Sequence, residues 1–148
     1  MLELFTRVRL TACLIALATA SIAAVADDRS KVVDGVTIDI GVIPAALLQG
    51  HPKEHPEGEM HGGVLRAQGQ YHVMVALFDA KTGERINDAQ VQAVVAGVGR
   101  PLEPMAIANT ITYGNYFYMT GEGPWRIDVV IRRANGVRTI GARFDHRH

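Results

Sequence analysis

Between residues 125 and 131 every second side chain is large and apolar: Trp125, Ile127, Val129 and Ile131 alternate with Arg126, Asp128 and Val130. Successive side chains of a strand point to opposite faces, so this period of two describes a strand with one face in a core and one toward water. Four residues further on, Asn135-Gly136 is the strongest two-residue hairpin signal in the chain, since both residues tolerate the positive φ of a type I′ turn. A returning strand is therefore expected over residues 137–144. An amphipathic hairpin cannot hide its apolar face alone, so the rest of the chain must supply further strands.

It does. Residues 36–42 alternate in the same way until Pro44 ends the run, and residues 45–48 suit a turn of helix. Residues 71–79 (YHVMVALFD) are apolar on both faces, which predicts a central strand covered on both sides. Lys81-Thr82-Gly83-Glu84 has hairpin chemistry, with Gly83 taking a positive φ. Residues 91–95 read as a strand, and residues 113–119 as aromatic-rich extended chain closed by the turn Gly121-Glu122-Gly123-Pro124. Residues 105–111 carry no clear pattern. Residues 50–63 hold two Pro, four Gly and three His and read as a loop. About seven short strands separated by turns, with no long helix, predict an all-β fold: an immunoglobulin-like β-sandwich, with a closed barrel as the other way to bury such strands.

The start of the chain belongs to a different solvent. Arg7 and Arg9 precede an almost uncharged run over residues 10–26 that ends in Ala24-Val25-Ala26, and Asp27-Asp28-Arg29 follows. A basic start, an apolar middle and an A-x-A end make a cleavable signal peptide, residues 1–26, and direct the chain to the periplasm. Seventeen residues, many of them Ala or Thr, are at the short limit for a permanent span. Cys13 stands in a sequence resembling a lipidation site, but too few apolar residues precede it for that chemistry. The remaining residues 27–148 suit one domain, with 27–35 as a flexible tail.

Cys13 is the only cysteine, so the mature domain contains no disulfide and must stand on its core. Beyond Ala26 there are 13 Lys and Arg against 14 Asp and Glu, a balance that excludes a basic nucleic-acid binder. Ser30 is the only serine there, and there is no nucleophile elbow or P-loop, so the residues do not favour an enzyme. The six Arg in the last 23 residues, Arg126, Arg132 and Arg138 among them, suggest a basic strip for an acidic partner or a solvated outer face.

Histidine and methionine are distributed more pointedly. His51, His55 and His61 lie in the loop, with Met60 beside the last, and His72 and Met74 occupy positions i and i+2 of the central strand, hence one face. Met105 and Met119 stand near later turns or strand ends. Imidazole suits copper or zinc, and thioether selects soft Cu(I). Met74 as a core filler and His72 as a satisfied buried histidine are the plainer alternatives.

His72-Val73-Met74, Leu102-Glu103-Pro104-Met105, Thr112-Tyr113-Gly114-Asn115 and Gly121-Glu122-Gly123-Pro124-Trp125 occur in that order. In these pieces residues 71–131 resemble the periplasmic immunoglobulin-like proteins that accompany bacterial iron-uptake permeases and bind copper. Met74 stands where that family has an acid, and Thr112 where it has a His. The resemblance implies a copper ion held by His72, Met74, Met105 and a loop histidine, His61, with His51, His55, Met60 and Met119 as further candidates. The loss of hard ligands implies a shift from Cu(II) toward Cu(I). It also implies a carrier or chaperone without catalytic turnover, serving an inner-membrane metal transporter or another copper-handling protein. The competing expectation is an exported interaction module that docks a membrane protein and holds no metal.

The intact mass of protein recovered from the periplasm should correspond to a chain starting at or near Asp27. A full-length species retained in the inner membrane would refute the cleavage.

Overall fold

A computed structural model describes residues 29–48, 68–134 and 138–147. The residues expected to form a signal peptide, a histidine-bearing loop and the Asn135-Gly136 turn lie outside the described residues. Eight strands follow in order: β1 (Ser30–Val33), β2 (Val36–Pro44), β3 (Gln70–Asp79), β4 (Ala89–Val95), β5 (Val98–Ile107), β6 (Thr110–Tyr118), β7 (Trp125–Arg133) and β8 (Thr139–His146). A 3-10 turn, Ala45–Leu48, follows β2 as expected. All pairings are antiparallel, and the strands form one sheet in the order β1-β2-β3-β6-β5-β4-β7-β8.

The all-β expectation holds, with eight strands instead of about seven and one wrapped sheet instead of two separate layers. The reason is β5. Its residues 98–102 pair with β4, and its residues 103–107 pair with β6. Pro101 and Pro104 flank the change of partner. A proline cannot donate a ladder bond, and each half of β5 has only one neighbour, so the missing N–H is tolerated there. Asn115 on β6 ties the crossing by donating to the Pro101 carbonyl at 2.7 Å.

The wrapped sheet almost closes on itself. Lys31 on β1 reaches across to β8, where its ammonium donates to the Arg143 carbonyl and lies 5.1 Å from the centre of the Phe144 ring. Beyond the end of β1 a cleft of about 610 Å³ remains between β2 and β8, bordered by Ile40, Val42, Phe144, Arg29 and Arg147.

Inside the wrap lies the main core. β2 contributes Val36, Ile38 and Ile40, β3 contributes Val73, Val75 and Leu77, and β7 contributes Ile127, Val129 and Ile131, all buried at alternate positions. Tyr113 and Phe117 of β6 and Phe144 of β8 fill the centre. The Tyr113 hydroxyl accepts from the Ala89 N–H at 3.0 Å, which joins β6 to β4 across the core.

Turn chemistry accounts for where sequence and structure part. Asp34-Gly35, Ala96-Gly97 and Ala108-Asn109 are two-residue hairpin turns in which both residues have positive φ (48° and 77°, 50° and 81°, 45° and 67°). Alanine is not a residue that signals positive φ, so the last two turns leave no mark in the sequence. The unpatterned residues 105–111 are in fact the end of β5, a turn and the start of β6. Residues 30–33, expected within a flexible tail, form β1 because Asp34-Gly35 folds them back onto β2.

At residues 81–84 the turn is present, with Gly83 at φ 74°, but it does not lead into a hairpin strand. Only Arg85 bridges back, to Phe78, and β4 then pairs with β5 and β7 in the other half of the sheet. Asp79 organises this corner. Its Oδ1 accepts from the backbone N–H groups of Lys81 and Thr82, each at 2.9 Å.

Those donors favour the ionised form, Thr82 most and Lys81 next, and hold the Asp79 carboxyl below its ordinary value of 3.8. A carboxyl depressed in the folded state contributes stability that is complete above its unfolded pKa and is lost as pH falls through the folded one. Asp79→Asn keeps an oxygen acceptor but removes the titration. Thermal melts of the variant should therefore lose less melting temperature than wild type below about pH 4. Identical acid sensitivity would remove Asp79 as a cause.

Candidate metal centre

The sheet has a second, outer face, and His72 and Met105 are buried on it. On β3 the odd residues Val73, Val75 and Leu77 enter the core, so His72 and Met74 point the other way. Cross-strand register carries this face across four strands. Met74 pairs with Gly41 on β2 and with Gly114 on β6, which pairs in turn with Glu103 on β5. The neighbouring rows hold Ile43, His72 and Tyr116 on one side and Thr112 and Met105 on the other.

His72 is 0% and Met105 1% exposed, yet neither belongs to the main core. The His72 ring stacks on Tyr116, with centroids 4.6 Å apart and planes 24° from parallel. Tyr116 packs with Ala45, Leu48 and Ile43 in a separate small cluster. The 3-10 turn after β2 thus lies against the same outer face that carries the histidine.

Gly114 brings the donors together. A Cβ at this position would lie 2.7 Å from His72 Nε2, 3.1 Å from Met105 Sδ and 3.0 Å from its Cε. The imidazole from β3 and the thioether from β5 therefore converge over a residue that has no side chain. Met74, partly exposed, shares the row, but its terminal methyl rests on the β2 side, 3.4 Å from where a Gly41 Cβ would be.

Among the described residues no three His, Cys, Asp or Glu side chains gather as a metal site. A metal on this face would depend on thioether donors, and His72 with Met105 is a soft pair of the kind that suits copper. Of the residues expected from sequence, His72 and Met105 meet and Met74 lies beside them. Met119 does not join them, because it is buried in the main core on the opposite face. His51, His55, Met60 and His61 fall outside the described residues. Thr112, paired with Met105, is in reach of the Arg85 guanidinium, whose Nη2 lies 3.5 Å from its hydroxyl.

Sequence reading missed Tyr116, the platform for His72, and the place of Glu103 in the Gly114 row. Tyr116 follows from the β3–β6 register, and Glu103 from the β5–β6 register that the Ala108-Asn109 turn sets. The proposed basic strip is interrupted by acids. On the outer face of β7 and β8, Arg126 stands opposite Asp145 and Asp128 opposite Arg143. Arg143 Nε donates to Asp128 Oδ1 at 2.7 Å, and this partner raises the Arg143 pKa.

Fold and site together define a small antiparallel β domain whose sheet is wrapped into a nearly closed barrel, with a histidine–thioether pair outside its core. The same fold is found in solved structures of bacterial proteins. A DUF4426 family protein from Pseudomonas aeruginosa matches with a TM-score of 0.58 and 14% identity over 80% of this chain and 92% of that one. FetP of uropathogenic E. coli, expressed in the E. coli periplasm, matches with a TM-score of 0.58 and 12% identity over 80% and 91%. A copper-bound variant of FetP matches with a TM-score of 0.57 and 11% identity over 80% and 93%. The resemblance drawn from the sequence therefore holds at the level of fold. No family model matches the chain, and no curated protein matches it.

Gly114→Ala tests the convergence. The added methyl meets a buried, stacked imidazole, and the backbone at Gly114 is ordinary strand, so the cost is steric alone. Urea unfolding of the signal-free domain should show a loss of about 1–3 kcal/mol. An unchanged midpoint would mean that His72 and Met105 are not held over the glycine.

Proposed function

We propose that this chain is a periplasmic copper-binding carrier or chaperone without catalytic turnover. The observation that carries the reading is the meeting of His72 Nε2 and Met105 Sδ over Gly114, both buried yet apart from the main core. An imidazole and a thioether that approach the same point above Gly114 make a soft donor pair. Copper bound to the structural neighbour supports the choice of metal.

In this reading His72 and Met105 form the centre, Met74 turns toward it when metal binds, and His61 from the loop completes it, with His51, His55 and Met60 as nearby alternates. The partner is an inner-membrane metal transporter or another copper-handling protein. We take the domain as an immunoglobulin-like variant in which β5 serves both layers.

Competitive titration against a Cu(I) chelator tests the centre. The mature domain should bind one Cu(I), and more tightly than Zn(II), because thioether is a poor zinc ligand. Met105→Leu nearly conserves volume and should cost under about 1.5 kcal/mol of stability. Its Cu(I) affinity should fall at least about tenfold, or 1.4 kcal/mol. In wild type, free Cu(I) at a hundred times its dissociation constant should raise stability by about 2.7 kcal/mol. Equal affinities in the two proteins would remove the thioether from the site, and no Cu(I) binding by wild type would overturn the reading.

A further inference from the structure

We infer that Glu103 supplies a carboxylate to this centre from the β5 side of Gly114 and so sets its oxidation-state preference, letting it hold Cu(II) as well as Cu(I). The inference rests on the copper-binding reading above.

The argument is one of register. Met74, Gly114 and Glu103 stand directly opposite one another on β3, β6 and β5. Residues directly opposite in an antiparallel pair have Cβ positions about 4.5–5.5 Å apart. Gly114 has no side chain to stand between Glu103 and Met74. The space above Gly114 is already touched by His72 Nε2 from one adjoining row and by Met105 Sδ from the other. Glu103 and Met105 are two residues apart on β5 and share its outer face. An imidazole and a thioether thus border one residue-sized gap, Glu103 stands opposite it on β5, and Met74 lies across the row on β3.

Glu103 is exposed whereas His72 and Met105 are buried, so the carboxylate stands at the mouth of the centre. The chemistry follows from donor softness. Imidazole and thioether alone favour Cu(I), whereas Cu(II) prefers nitrogen and oxygen donors, and an anionic oxygen offsets its extra charge. Glu103 is therefore a specificity-determining residue, acting on one oxidation state far more than on the other.

Glu103→Gln removes the charge at an exposed position and should leave the fold intact, as circular dichroism and a thermal melt would verify. Cu(II) affinity, read by competition with a Cu(II) chelator, should fall at least about tenfold, while Cu(I) affinity, read anaerobically with a Cu(I) chelator, changes less than about threefold. Unchanged Cu(II) affinity with Cu(I) binding intact would overturn the role of Glu103 and leave the copper centre standing. Equal losses for both ions would also overturn it, since the residue would then not discriminate. A wild-type protein that binds Cu(I) but not Cu(II) would refute it outright, whereas one that binds neither fails at the copper-binding reading itself.

Discussion

The change of partner within β5 is the constraint on which the rest of the molecule depends. One strand, ten residues long, is hydrogen-bonded to β4 over its first half and to β6 over its second. Without that exchange the sheet would be two separate pieces, each with exposed apolar residues along an edge. With it, Val91 and Leu102 face the same core as Val75 and Phe117, and a domain lacking any disulfide buries one continuous interior. The two prolines beside the exchange are placed where their missing donors cost least.

The same exchange separates stability from chemistry. Residues 103–107 leave β4 just where they come alongside β6, and this puts Glu103 and Met105 on the outer face, in register with Gly114 and Thr112. The inner face keeps the branched and aromatic residues, while the outer face collects histidine, methionine and a small cluster around Tyr116. Residues that hold the fold and residues that offer donors thus occupy opposite sides of the same strands. Substituting Met105 by Leu therefore alters the donor set without opening a void in the main core.

Much of this organisation was legible in the sequence. Alternation at 36–42 and 125–131 identified strands and their buried faces, and the doubly apolar run at 71–79 identified a central strand. His72 and Met105 could be singled out because their residue types are unusual donors, and the i, i+2 rule put Met74 on the face of His72. What could not be read was pairing. Alanine in the turns at Ala96-Gly97 and Ala108-Asn109 hides the hairpins that define β5, and without β5 there is no register to place Glu103 or to show that Gly114 is where the donors meet. Met119 illustrates the converse: its residue type suggested a ligand, but its parity on the chain sends it into the core.

A nearly closed sheet still has two free borders, and borders of unpaired amide groups recruit foreign strands. Here the first border belongs to a strand of only four residues, and the lysine on it spans the seam to the backbone of β8. Past its end, among the described residues β2 is paired on one side only, with β3, as far as Pro44, which offers no N–H to a newcomer. A charged clasp and a proline stop thus guard the opening against strand-by-strand polymerisation.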